Sequence, residues 1–194
     1  MNADRKRETL MTKDTTADGA RTLAKKAETV ETTGAAENVR TANMDNTGDT
    51  VDPDDALKLE NQLCFPLYAA ARSVVSAYTP LLKPLGLTYT QYIVMMALWE
   101  RDDVTVGELG KRLRLDNGTL TPLLKKMEKA GLVERNRSAE DERRVKITLT
   151  DKGRDMKDGA GRVPAEMRQC MPADFTPEDA RTLYALLYKL LGDQ

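Results

Sequence analysis

The sequence predicts a mainly α-helical chain with a small β-wing, an α+β winged helix-turn-helix bracketed by terminal helices that would form a dimerisation region. Three observations carry this reading. Residues 105–130 hold two short runs with apolar positions at helical spacing, parted by a polar turn. After them, Leu132 to Arg135 and Val145 to Leu149 alternate apolar and polar residues around an Arg-rich loop, as the half-buried strands of a hairpin do. The first and last helical stretches are more apolar than one small domain needs to cover itself.

Taken in order, residues 1–55 contain no Phe, Trp or Tyr and few branched aliphatics, so they cannot bury enough apolar surface to offset the entropy of ordering. They are expected to be a disordered N-terminal extension. Residues 56–194 are expected to form the folded domain, with 57–79 and 151–191 as dimerisation helices and 88–150 as the winged helix-turn-helix. In the first helix Leu59, Leu63, Leu67, Ala70, Ala71, Val74, Val75 and Tyr78 share one side, and Thr79-Pro80 should end it, since a residue before proline avoids the helical region. Thr88 or Thr90 opens the next, Tyr92 to Glu100, apolar nearly all round and hence buried.

Thr105 then caps a helix with Val106, Leu109 and Leu113 inward, and Glu108 three residues on completes a capping box. The turn Asp116-Asn117-Gly118 leads to a second helix starting at Thr119 or Thr121, with Leu120, Leu123, Leu124 and Met127 inward, Lys125, Lys126 and Lys129 outward, and Gly131 as its stop. The loop Arg137 to Arg144 is the wing. Asp151 to about Gln169 reads as helical with a break near Gly159. Thr176-Pro177-Glu178-Asp179 starts a last helix carrying Leu183, Leu186, Leu187, Leu190 and Leu191. The terminal helices point to a homodimer, with closure into one monomeric bundle as the alternative.

Charge and composition exclude several functions. Residues 1–55 carry 8 Lys/Arg against 12 Asp/Glu, which leaves 22 against 19 in 56–194, so the near-neutral total hides a mildly basic folded part. No stretch suits a signal peptide or membrane span, and a cytoplasmic location is expected. The acidic run Asp45 to Asp55 lacks the ligand order of a calcium loop and reads as a solvated linker. With no histidine, Ser-His-Asp and Cys-His catalysis and the common zinc sites are removed together; no metal, cofactor or enzymatic activity is expected.

In a winged helix-turn-helix the second helix enters the major groove of double-stranded DNA. That assigns Asn117, Thr119, Thr121 and Pro122 to the base side, and Lys125 and Lys126 to phosphates. Threonine contacts discriminate weakly between bases, so no operator sequence follows from them. On the wing, Asp141 can brace Arg143 for a narrow minor groove, with Arg144 beside it and Arg135 and Arg137 flanking. The competing reading of each charge is a solvated face.

The two cysteines stand outside this reader. Cys64 and Tyr68 are four apart on one helix face, and phenol donors can stabilise the thiolate that attacks peroxide. An apolar surround of Leu63, Phe65 and Leu67 suits organic peroxides. A lone cysteine on an apolar face is otherwise usually an inert core residue.

Asp141-Glu142-Arg143 followed by Leu149-Thr150 resembles the wing of the MarR family of winged-helix regulators. More narrowly, the block Leu59-Glu60-Asn61-Gln62-Leu63-Cys64-Phe65-Pro66-Leu67-Tyr68, the run Tyr89-Thr90-Gln91-Tyr92 and the block from Leu115 to Glu128 resemble the organic-hydroperoxide-sensing (OhrR) branch of that family. The likeness covers roughly Leu57 to Leu191 and joins a cysteine block to a DNA-reading block. It implies that Cys64 is the reactive thiol, with the hydroxyls of Tyr68, Tyr78 and Tyr89 near it, partly across a dimer. It also implies, by position 106 residues after Cys64, that Cys170 is a resolving thiol of the two-cysteine type, in which the sulfenic acid on Cys64 forms an intersubunit disulfide. The alternative for Cys170 is a passive thiol.

The function expected on this basis is a redox-responsive transcriptional repressor that senses organic hydroperoxides and releases operator DNA on oxidation. Two rivals stand beside it. One is a MarR-type repressor released by a phenolic or aromatic ligand, for which DNA release would ignore loss of Cys64. The other is a thiol peroxidase, against which stands the lack of a cationic residue adjacent to Cys64. The 55-residue extension is longer than the short amino termini usual in this branch.

Overall fold

A computed structural model describes residues 53–137 and 144–192 of the chain. Among the described residues two compact units emerge, one made of those up to Ala77 together with those from Met167 onward, the other of those within Tyr78–Glu166.

The first unit opens with a short helix α1 (Pro53–Ala56) and a 3₁₀ turn (Leu59–Asn61), then enters the long helix α2 (Cys64–Leu82), whose last turn belongs to the second unit. Both ends of α2 differ from expectation. Leu59 lies before it, because Gln62 is extended and the helix begins only at Cys64. Pro66 falls within its first turn, where the missing N–H would have had no helical acceptor. At the other end the helix continues through Pro80, giving up one backbone hydrogen bond, because Leu81 and Leu82 are buried at 8% and 0% exposure and packing holds the closing turn. Leu63 just before α2, and Phe65, Tyr68, Val74 and Val75 along it, are exposed within the single chain.

The same unit ends with helix α8 (Pro177–Leu190). Its start is the expected one: the Thr176 hydroxyl accepts the Asp179 N–H at 3.2 Å, the Asp179 carboxylate accepts the Thr176 N–H at 2.8 Å, and Pro177 takes the first helical position. Leu183, Leu186 and Leu190 on this helix are exposed.

In the second unit, Gly86 in the left-handed region turns the chain into helix α3 (Tyr89–Glu100), capped by Thr88 with Gln91. Val94, Met95 and Leu98 of α3 are fully buried, while Met96 is exposed, so one side of this apolar helix remains uncovered. Strand β1 (Val104–Thr105) follows, then α4 (Val106–Leu113) and α5 (Asn117–Lys129). The turn between them needs the left-handed Arg114 and a glycine at 110, since a Cβ there would stand 2.9 Å from the Leu115 carbonyl oxygen. Leu109, Leu120, Leu124 and Met127 close the two helices over a dry core, each contributing roughly 1.5–3 kcal/mol by burial.

Gly131, left-handed, ends α5 as expected and leads into β2 (Val133–Arg137), antiparallel to β3 (Val145–Leu149) with Arg135 opposite Ile147 and Arg137 opposite Val145. The wing loop is therefore shorter than expected at its start, because Arg137 is the last paired residue of a strand. Strand β1, two residues long and not expected from the sequence, pairs Val104 with Ile147 and makes β3 the central strand of a β1-β3-β2 sheet. Two residues carry no readable alternation, so only the tertiary pairing identifies them. Helices α6 (Asp151–Ala160) and α7 (Val163–Gln169) follow, with the break at Gly161, two residues after the expected one.

Candidate DNA interface and thiol site

The recognition helix α5 starts earlier than the sequence suggested. Asp116 is its cap: one carboxylate oxygen accepts the Thr119 N–H at 2.9 Å and the other accepts the Thr119 hydroxyl at 2.8 Å. These bonds, hydroxyl first, hold the Asp116 carboxyl below its usual range. Asn117 and Gly118, read from sequence as turn, are thus the first helical residues, because an anionic cap satisfies the free N–H groups better than an Asn-Gly turn would. Asn117, Thr119 and Pro122 are exposed along this end and Thr121 is half-buried. The Thr119 hydroxyl, already donating to Asp116, offers a base only its lone pairs and its methyl. Lys125 and Lys126 are exposed farther along the helix.

On the wing, Asp141 and Arg143 lie outside the described residues, as does the Arg137 side chain. Arg135 is half-buried, with one guanidinium nitrogen 3.5 Å from the Glu128 carboxylate of α5 and its Nε buried without a hydrogen-bond partner. Part of this residue therefore ties the wing to the recognition helix. Arg144 is exposed at the start of β3. Between them opens a cleft of about 690 Å³ in which Asn117, Thr121, Arg135 and Arg144 meet Glu108 and Lys111 of α4. The sequence reading had assigned Glu108 to capping alone and passed over Lys111. Their i, i+3 spacing, which sets both on one helix face, was the available signal. Glu108 does cap, accepting the Thr105 N–H at 2.8 Å and its hydroxyl at 2.7 Å. Those two bonds, then the positive charges of Arg101 and Arg144, hold its carboxyl below the usual range.

The thiol residues divide between the units. Cys64 is exposed at the first residue of α2, the end of a helix that accommodates negative charge. Tyr68 lies one turn on, and its oxygen accepts a hydrogen bond from Arg72 at 3.1 Å. Sequence reasoning missed Arg72, although it stands four residues from Tyr68 and eight from Cys64 on the same face. Cys170, half-buried, follows the end of α7 in the first unit. In the second unit Tyr78 and Tyr89 are brought together with ring centroids 5.0 Å apart, and Tyr92 joins them at 5.9 Å from Tyr78. Burial first, and neighbouring phenols second, push Tyr78 and Tyr92 above the ordinary tyrosine range, so both remain hydrogen-bond donors. Among the described residues no group of three or more His, Cys, Asp or Glu side chains is assembled to hold a metal ion, and no helix is long and apolar enough to cross a membrane.

Comparison with known proteins returns regulators. The family model "Transcriptional regulator SarA/Rot" matches residues 76–160. The Organic hydroperoxide resistance transcriptional regulator of Bacillus subtilis (strain 168) is 47% identical over 137 residues, which cover 71% of this chain and 92% of that protein. Among solved structures, reduced AbfR bound to DNA is similar with a TM-score of 0.59 at 38% identity, over 69% of this chain and 92% of its own. AbfR, from Staphylococcus epidermidis, is also known overoxidized on DNA and in a disulfide-formed state. A MarR mutant from E. coli complexed with operator DNA is similar with a TM-score of 0.62 at 28% identity, over 66% of this chain and 93% of its own.

Proposed function

The chain belongs to the MarR family of winged-helix transcriptional regulators, in the branch of organic hydroperoxide resistance regulators, and from that premise we propose that it is a DNA-binding repressor that senses organic hydroperoxides through Cys64. The observation that carries this is the joining, in one chain, of an Asp116-capped recognition helix and an exposed Cys64 one helical turn from Tyr68. AbfR, its relative, is described by the same pairing of DNA binding with a change of oxidation state.

In the proposed cycle the Cys64 thiolate attacks the O–O bond of a hydroperoxide ROOH. The S–O bond forms as O–O breaks, sulfur is oxidised to a sulfenic acid, and RO⁻ leaves and takes a proton to become the alcohol. The thiol of Cys170 of the partner subunit then displaces hydroxide, which leaves as water, to give a disulfide that small thiols reduce. The disulfide-formed state of AbfR supports this second step. The exposed apolar residues of α2 and α8 supply the homodimer that the step requires. Since a disulfide tolerates only about 4.4–6.8 Å between Cα atoms, closing it across a dimer moves helices. The two recognition helices then lose the spacing of about 34 Å that successive major grooves demand. Tyr68, Tyr78 and Tyr89 are the phenols assigned to the sensing thiol. Asn117, Thr119, Thr121 and Pro122 face bases, and Lys125, Lys126, Arg137, Arg143 and Arg144 hold the backbone and minor groove.

Binding to a duplex selected by the wild-type protein, followed by fluorescence anisotropy before and after organic hydroperoxide, tests the proposal in wild type, Cys64→Ser and Cys170→Ser. Release in wild type that Cys64→Ser abolishes establishes the sensor, and altered release in Cys170→Ser establishes the resolving thiol. Equal retention by all three proteins rejects the redox reading in favour of a repressor released by a small phenolic or aromatic ligand.

A further inference from the structure

The cleft beside the recognition helix contains an unexpected charge. Its cations, Lys111, Arg135 and Arg144, suit the phosphates of a duplex, yet Glu108 places a carboxylate among them and is, among the described residues, the one acid in its lining. Glu108 cannot swing away without losing its cap, since Thr105 holds the carboxylate by both N–H and hydroxyl, at 2.8 and 2.7 Å. Arg144, at the root of the wing, lines the same cleft. A fixed anion here has two effects on a DNA-binding protein. It draws on the cations that share the cleft, and it repels phosphate wherever the backbone is brought close.

We propose that Glu108 is a specificity-determining residue, a fixed counter-charge in the cleft that weakens sequence-independent binding more than operator binding. The asymmetry follows from what holds each complex. Non-specific binding rests almost wholly on phosphate electrostatics, so a repelling carboxylate acts on its entire driving force. In an operator complex, base-edge contacts from Asn117 and Thr121 add to that force and fix a register in which Arg144 is directed to the groove. Specificity is a difference between two affinities, and lowering the unwanted one is as effective as raising the wanted one. This inference rests on the DNA-reading half of the proposed function and is independent of Cys64.

The test uses the full-length reduced protein, a duplex selected by the wild type from a random-sequence library, and a scrambled duplex of equal length and composition. Glu108→Gln is the main variant, because a glutamine at that position still accepts the Thr105 N–H and keeps the capping box; the thermal midpoint verifies that the fold is kept. The expected result is a roughly five- to tenfold gain in affinity for the scrambled duplex against about twofold or less for the selected one. In the Arg144→Gln background the effect of Glu108→Gln should shrink. Equal factors on both duplexes, or weaker binding to both, overturn the proposal and leave Glu108 a cap. A wild type that fails to discriminate between the duplexes overturns the DNA reading as well, an outcome separate from an unchanged ratio in a discriminating protein.

Discussion

The indole N–H of Trp99 donates to the backbone carbonyl of Gly153 at 2.8 Å, fastening the end of α3 to the first turn of α6. The same residue lets the chain entering β2 pass close by: a Cβ at 153 would lie 2.1 Å from the Leu132 carbonyl oxygen, a backbone atom that cannot step aside. Gly153→Ala is therefore expected to destabilise the second unit by at least the ~1–3 kcal/mol typical of overpacking, and Trp99→Phe by about 0.5–1.5 kcal/mol through loss of the hydrogen bond. Denaturant unfolding monitored by circular dichroism measures both; an alanine variant as stable as wild type contradicts the packing described.

Three caps make the fold sensitive to acid. Thr119 acts on Asp116 through its hydroxyl and then its N–H, Thr176 acts likewise on Asp179, and Thr105 acts on Glu108 through its N–H and then its hydroxyl. All three carboxyls are held below their ordinary range. With folded values depressed, the unfolded chain takes up protons first as pH falls. The stabilisation is complete above the ordinary carboxylate value of about 4 and is lost as pH drops through the lower folded values. The thermal midpoint should fall in that window, and Asp116→Asn with Asp179→Asn, which can still cap, should flatten the decline. An unaltered slope in the double variant assigns the acid sensitivity elsewhere.

Arg72 uses a lone pair of the Tyr68 oxygen, which leaves the phenol hydrogen to donate, and more strongly for the cation behind it. On the proposed function, Arg72→Ala should slow sulfenic acid formation at Cys64, Arg72→Lys should restore part of the rate, and neither should matter in a Tyr68→Phe background. Trapping of the sulfenic acid by dimedone, quantified by mass spectrometry, gives the rates. Equal rates in all variants reduce the Arg72–Tyr68 bond to a surface contact.

The exposed Leu183 and Leu190 of α8 lead to a further expectation. Replacing both by glutamate should convert the proposed dimer to monomers in sedimentation velocity and remove high-affinity binding to a two-fold duplex. A doubly substituted protein that sediments as wild type places the dimer contact elsewhere.

The helix starts at Thr105 and Thr176 were legible, and Thr88 was one of two starts offered with Thr90, because capping is local: a hydroxyl and a carboxylate or amide three residues apart decide it without reference to the rest of the fold. The strands of the wing were legible for the same reason, through alternation. What escaped was decided at longer range. Strand β1 exists because β3 lies beside it, and α2 passes Pro80 because Leu81 and Leu82 are buried. Asn117 and Thr121 were legible as members of the second helix, whereas Glu108 already had a sufficient role as a cap, and its place in the same cleft appears only when α4, α5 and the wing are assembled around it.

That β3 is bonded along both edges limits how the wing can travel. A two-stranded ribbon hinges at its base like a door, but here the central leaf is also stitched to Val104 and Thr105. It is stitched again by the Asp102 carboxylate, which accepts the Leu149 N–H at 2.8 Å, and by the ion pair of Lys146 with Asp103 at 2.8 Å. The ribbon has consequently lost its independent swing. Any signal that lifts the wing from a groove must carry the corner at 102–105 with it. Because Thr105 is also the cap of α4, that corner ties the central strand of the wing to the helix packed against α5.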